Sequence, residues 1–255
     1  MTQNNPDRSI EQPFISHLIE LRDRLLKVVV CIMVVFLGLA AYANDIYSVL
    51  AGPLMKHMPA NSTMIAIDVG SPFFTPFKLA LVAAIFICVP VILYHFWAFI
   101  APGLYKRERR MVLPLLIAST FLFYLGVVFA YFVVFPLVFG FLTAAAPVGV
   151  AVMTDISKYL DFVLSLFLAF GVTFEVPVAV VILVRMGLVT VATLKEIRPY
   201  VIVGAFVIGA IFTPPDVVSQ VMLAVPLWIL YELGIFVSQW IAKPVTEESQ
   251  SGSAG

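Results

Sequence analysis

Charge is what this sequence has least of. Only 12% of its 255 residues are charged and 62% are hydrophobic, with a mean hydropathy of +1.06. A soluble domain carries roughly a quarter charged residues and about half apolar ones. This inventory therefore needs lipid as part of its solvent. The 15 basic and 15 acidic residues cancel, which removes the cationic excess that points to nucleic acid. Cysteine is nearly absent. Cys31 and Cys88 both lie inside apolar runs and read as small buried hydrophobes, not as a disulfide or a metal pair. The three histidines, His17, His57 and His95, show no ligand spacing, so neither a metal nor another cofactor is expected. The patterns H-E-x-x-H, G-x-S-x-G and G-x-x-x-x-G-K-[ST] are all missing. P-loop nucleotide hydrolysis and metalloprotease chemistry go with them, and no enzyme is expected. Nor is there a small-residue cleavage pattern behind the first apolar run, so no cleavable signal peptide is expected.

What is present is a series of long apolar runs. A helix needs roughly 20 apolar residues to cross about 30 Å of hydrocarbon at about 1.5 Å per residue. The pattern predicts an all-α, polytopic membrane protein with six transmembrane helices, at about residues 25–43, 73–100, 111–135, 160–184, 200–212 and 217–240. Residues 1–243 form one transmembrane domain on this reading, and residues 244–255 a polar, disordered tail. The last two spans are expected to be short. The fifth is apolar for only about 13 residues, or about 20 Å, and Thr213-Pro214-Pro215-Asp216 breaks the run. Glu232 interrupts the sixth. Helices too short for the bilayer must thin it or pack against something, which predicts a concave, asymmetric bundle.

Basic residues set the expected orientation. Most of the 15 lie in the N-terminal segment, between the second and third spans, between the fourth and fifth, and at Lys243. Only Lys56, Lys78 and Lys158 lie elsewhere. Both ends are therefore expected in the cytoplasm. Two segments read as interfacial. Phe14, Ile15, Leu18, Ile19, Leu25 and Leu26 recur at helical spacing, with His17, Glu20, Arg24 and Lys27 on another face. On the opposite side of the membrane, Ile46, Val49, Leu50, Leu54 and Met55 form a similar stripe.

Three carboxylates stand out. Glu175 lies deep in the fourth span, where a charge costs a few kcal/mol even on the lenient insertion scale. It reads either as a polar spot used by a substrate or partner, or as a structural hydrogen-bonding group near Pro177. Glu20 and Glu108 sit among cations. They read as local salt-bridge partners, Glu20 with Arg24 at i, i+4, or as acceptors for an arginine-bearing partner.

Ser16-His17-Leu18-Ile19-Glu20-Leu21-Arg22-Asp23-Arg24-Leu25 resembles the N-terminal signature of the TatC family, the receptor subunits of the twin-arginine protein translocase. So does the block from Phe99 to Arg110, which contains Ala101-Pro102-Gly103-Leu104-Tyr105. The blocks Phe170 to Pro177, Arg198-Pro199-Tyr200 and Thr213 to Asp216 follow in the family's order. The likeness covers roughly residues 14–240. It implies a receptor in the bacterial cytoplasmic (inner) membrane that binds twin-arginine signal peptides of folded precursors. Such a receptor assembles with TatB-like and TatA-like single-span proteins and with copies of itself, and the proton motive force drives export. It also implies that Glu20, Arg22, Phe99 and Glu108 bind the signal peptide, that Glu175 is an intramembrane polar site, and that Thr213 and Gln220 contact a single-span partner. The alternative is a proton- or ion-coupled secondary transporter using Glu175. Only one deep carboxylate is present and no deep basic partner, which argues against it.

Overall fold

The computed structural model describes residues 7–57, 64–100, 112–144, 153–212 and 217–241. The connection that carries Glu108, the turn from Thr213 to Asp216 and the tail from residue 244 lie outside these. The described residues form eleven α-helices and one isolated β-bridge, between Ile65 and Asp155. Contacts divide the chain into two compact units, Met1–Gly171 and Val172–Gly255.

In the first unit, α1 (Asp7–Ala40) runs unbroken for 34 residues, about 51 Å. The amphipathic segment and the first span, expected as successive pieces, are one helix. No glycine or proline interrupts the junction, and the Glu20–Arg24 pair bridges one turn of it. Chain direction changes at Ala41-Tyr42, and α2 (Ala43–His57) leaves at 85° to α1. Ile46, Tyr47 and Leu50 pack against the buried Leu79, Leu160 and Leu164, while Val49 points away, 75% exposed. Part of the α2 stripe thus covers protein rather than lipid.

The second expected span is two helices, α3 (Ser71–Ile87) and α4 (Val89–Ile100), bent by 50° at Cys88. Pro90 causes the bend. Its ring displaces the carbonyl four residues back, on Phe86, and removes that carbonyl's N–H partner. The Phe86 oxygen accepts instead from a backbone N–H at the Cys88 cap and from the Tyr124 hydroxyl, the latter at 2.9 Å. In hydrocarbon an unpartnered carbonyl costs several kcal/mol, so these bonds together make the bend tolerable. The bend also carries Cys88 to Cys31, with the two sulfurs 3.5 Å apart and both thiols free.

The third span continues beyond the expected end at Phe135. Helix α5 (Val112–Phe129) passes through a π-helical turn (Ala130–Val134) into α6 (Phe135–Ala144). Pro136 lacks an N–H, and the wider turn before it absorbs the mismatch. Helix α7 (Ile156–Thr173) opens at Asp155. That carboxylate accepts from the Ile67, Ser157 and Lys158 N–H groups, each at 3.0 Å. The Ile67 and Lys158 N–H bonds hold it below the usual carboxylate range. Its stabilising contribution is complete above that range and is lost as pH falls through the lowered pKa. A seryl–threonyl cluster backs this corner. Ser157 Oγ lies 2.9 Å from both Ser71 Oγ and Thr75 Oγ1, and Lys78 pairs with Asp161.

In the second unit, α8 (Val176–Arg185) ends where Gly187 turns to φ +68°. The Leu188 N–H reaches the Leu183 carbonyl and the Gly187 N–H reaches the Val184 carbonyl, the double closure that a left-handed glycine permits. A short helix, α9 (Val191–Glu196), is capped by Thr190, whose Oγ1 accepts from the Thr193 N–H at 3.1 Å. Helix α10 (Arg198–Phe212) has 15 residues and α11 (Val217–Ile241) has 25, about 22 and 38 Å. The fifth span is short, as expected; the sixth is not. Glu232 does not interrupt α11, because Arg198 Nη2 donates to its Oε2 at 2.6 Å. Gly234 lets α11 approach α8 closely. A Cβ there would stand 3.0 Å from Pro177 Cα and 3.1 Å from Val180 Cβ. Val180, Leu194, Tyr231 and Ile235 fill the core beside it, and the Tyr231 hydroxyl donates to the Leu194 carbonyl at 2.8 Å.

Among the described residues, Leu113–Gly140, Ile156–Arg185 and Gln220–Trp240 are each long and apolar enough to cross a membrane. The bent pairs α1–α2 and α3–α4 meet the same criterion jointly, and α10 is a shorter apolar helix. Their outward faces suit lipid: Leu37 is 67% exposed and Phe132 69%. Water would not tolerate so many such residues in a monomeric protein.

Candidate functional site

The residues singled out by the sequence fall in three places. The first is the N-terminal part of α1. Glu20 Oε1 accepts from Arg24 Nε at 2.9 Å and from Arg24 Nη2 at 2.6 Å. The i, i+4 spacing puts both on one face of the helix. Glu20 Oε2 lies 4.0 Å from His17 Nδ1, beyond hydrogen-bond length. The His17 imidazole stacks on the Phe99 ring of α4, with centroids 4.1 Å apart and planes inclined by 18°. Glu20 with Arg24, and His17 with Phe99, thus form two neighbouring pairs, 4.0 Å apart between Glu20 Oε2 and His17 Nδ1. Arg22 faces elsewhere: 68% exposed, it donates from Nε and Nη2 to Asp23 Oδ1 at 3.1 and 2.9 Å. An apolar cleft of about 170 Å³ opens between α1 and α4, lined by Leu21, Arg24, Val28, His95 and Phe99 among others. Glu108, the remaining expected member, lies outside the described residues.

The second place is the junction of α7 and α8. Glu175 is the residue immediately before α8 and is half-buried. Its N–H donates to the Val172 carbonyl at 3.0 Å, and its carbonyl accepts from the Ala179 N–H at 2.9 Å. Pro177 stands in the first turn of α8, where the missing N–H has no intrahelical partner to lose. A polar side chain and a helix break therefore coincide inside one apolar segment.

The third place is the start of α11. Gln220 Nε2 donates to the Phe206 carbonyl of α10 at 2.8 Å. A Cβ on Gly209 would meet Gln220 Cγ at 3.1 Å and its carbonyl oxygen at 3.2 Å, so the glycine makes room for the amide. Among the described residues the Gln220 side-chain oxygen takes no hydrogen bond. Thr213 lies outside them.

Comparison with known proteins decides what these features belong to. The profile of the Sec-independent protein translocase protein (TatC) family matches residues 16–226. The chain is 58% identical over 229 residues to the Sec-independent protein translocase protein TatC of Escherichia coli strain K12, covering 90% of this chain and 89% of that one. It is 56% identical over 246 residues to the protein of that name from Haemophilus influenzae, covering 96% and 95%. The chain belongs to the TatC family. Among solved structures, the fold matches that of the twin-arginine translocase receptor TatC with a TM-score of 0.80 and 39% identity, across 89% of this chain and all of that one.

As a TatC-family member the chain is an all-α, multi-pass bacterial membrane protein and a component of the twin-arginine protein transport machinery. It is not an enzyme; the family is one of translocase components. Membership also sets aside the small-solute transporter that a lone Glu175 left open. One member of the α1–α4 cluster had no role in the sequence reading. His17 looked like an ordinary polar-face residue, and only the fold brings Phe99 onto it. Arg24 was legible as the i, i+4 partner of Glu20, and the available signal for His17 was its i, i+3 spacing to Glu20.

Proposed function

We propose that this chain is the receptor subunit that captures twin-arginine signal peptides at the cytoplasmic face and assembles single-span TatB-like and TatA-like partners for proton-motive-force-driven export. Glu20 and Glu108 are the carboxylates for the signal arginines, and Arg22 and Phe99 complete the peptide-binding set. The supporting observation is the state of Glu20. One of its oxygens is held by Arg24 at 2.9 and 2.6 Å, which fixes the carboxylate, while the other lies 4.0 Å from His17 Nδ1. A fixed acceptor at the membrane surface suits a guanidinium, whose planar fork donates to carboxylates. The basic residues that flank Glu108 in the sequence, Lys106, Arg107, Arg109 and Arg110, disfavour a peptide that is merely basic. Both termini are cytoplasmic on this reading, and receptor copies associate in one complex.

Glu175 supplies an intramembrane polar site, and Thr213 with Gln220 a docking patch for a single-span partner. An interhelical hydrogen bond in a membrane contributes about 0.6 kcal/mol, with a maximum near 1.7, so the patch tunes assembly rather than holding it alone. The test is copurification of the intact protein in mild detergent. It is expected to bring down single-span partners and a twin-arginine precursor, and Gln220→Leu is expected to lower partner crosslinks without lowering the amount of receptor. Unchanged crosslinks from Gln220→Leu and from Thr213→Val would remove the docking patch. Failure to retain any precursor would remove the receptor reading.

A further inference from the structure

We propose that His17, backed by Phe99, is the platform that tells arginine from lysine in the signal peptide. One arginine lays its guanidinium plane on the imidazole while hydrogen-bonding to Glu20 Oε2. This rests on the receptor reading above and deepens it by adding a specificity-determining residue.

Four observations carry it. The two rings are nearly parallel, 18° apart in plane and 4.1 Å between centroids, so the phenyl ring supports the imidazole from one side. The His17 side chain is nonetheless 48% exposed and that of Glu20 38%, so both remain reachable. The 4.0 Å gap between Nδ1 and Oε2 means that neither is used up by the other. Finally, Arg24 already places a guanidinium on Glu20 through Nε and Nη2, so the carboxylate suits this donor geometry.

The chemistry separates the two cations. Guanidinium is planar and weakly hydrated, and stacks on aromatic faces while its N–H groups donate in plane. An ammonium is a compact, strongly hydrated point charge. It can reach the carboxylate but gains little from a flat neighbour. A carboxylate alone attracts either cation; the adjacent stack adds the preference.

The experiment uses the full-length protein with its partners in lipid nanodiscs and two fluorescent signal peptides, one with paired arginines and one with paired lysines. The variants are His17→Leu, His17→Ala and His17→Phe. Leucine fills much of the space without a π face. Both His17→Leu and His17→Ala are expected to weaken the arginine peptide about three- to fivefold, the range for an exposed cation–π contact. The lysine peptide is expected to lose less, so the arginine-to-lysine ratio falls. His17→Phe restores the ratio to within about twofold of the parent. A parent-like ratio in His17→Leu, or a loss in His17→Phe equal to that in His17→Ala, overturns the platform. Glu20→Ala, measured alongside, separates the two levels of the argument. If it loses the arginine peptide while His17→Leu keeps the ratio, the receptor reading stands and the platform falls. If the parent does not prefer the arginine peptide, both fall.

Discussion

Replacing Glu108 by arginine is expected to lower the affinity for a twin-arginine precursor by well over tenfold, more than Glu108→Ala or Glu20→Ala does. A hydrogen bond to a charged group contributes about 1.5–3 kcal/mol, and each 1.4 kcal/mol is a factor of ten. Loss of one carboxylate therefore costs roughly tenfold, less where water screens the pair. Arginine adds repulsion against an incoming guanidinium to that loss. The same substitution leaves the amount of membrane-inserted receptor unchanged, because the surrounding block already holds Lys106, Arg107, Arg109 and Arg110. For Glu20→Ala the structure adds a refinement. Arg24 loses the acceptor it now holds through two hydrogen bonds, so part of the effect is a released cation facing the peptide. Glu20→Gln keeps an acceptor for Arg24 and is expected to fall between the parent and alanine. Equilibrium binding of a labelled precursor to membranes containing each variant measures all of these. Parent-like affinity in both alanine variants would reduce the two carboxylates to local ion-pair partners.

The second large effect is expected at Glu175. Glu175→Leu should insert and accumulate normally yet lose most transport, whereas Glu175→Gln should retain much of it. Removing an ionisable group from an apolar segment spares the cost of holding it there, a few kcal/mol if charged, so insertion has nothing to lose. The local fold does not depend on the carboxylate for its backbone bonds. The Glu175 N–H and carbonyl are taken by Val172 and Ala179, and Pro177 fits the first turn of α8 without it. What leucine removes is a polar group at a helix break, which an amide partly replaces. Export of a folded reporter, normalised to receptor level, is the readout. Full export by Glu175→Leu would make the group dispensable.

Much of this architecture was legible in the sequence because lipid imposes length and polarity rules on every span. The apolar runs marked out apolar helices, and the shortness of α10 followed from counting residues. The parts that were not legible are those where a distant side chain repairs a local fault. Glu232 looks like an interruption of the sixth span until Arg198 is seen to bind it. Pro90 marks a bend, but nothing local says that Tyr124 will take up the Phe86 carbonyl. The third span outran its expected end because a π-helical turn accommodated Pro136. Cys88 is buried as expected, whereas Cys31 is only half-buried; their approach to 3.5 Å depends on how α1 meets the α3–α4 bend. The cluster between α1 and α4 divides in the same way. Glu20 with Arg24 is a spacing along one helix and could be read directly. The stacking of His17 on Phe99 joins residues of two helices and needed the fold.

The most direct test of the receptor assignment is site-specific photo-crosslinking from positions 103 and 105, in the connection between Phe99 and Glu108, to a twin-arginine precursor in intact membranes. Strong adducts are predicted with the arginine pair, with marked loss when the pair is changed to lysines or when the receptor carries Glu108→Arg. Equal adducts with both precursors, or none from this connection while the precursor crosslinks elsewhere on the chain, would contradict it.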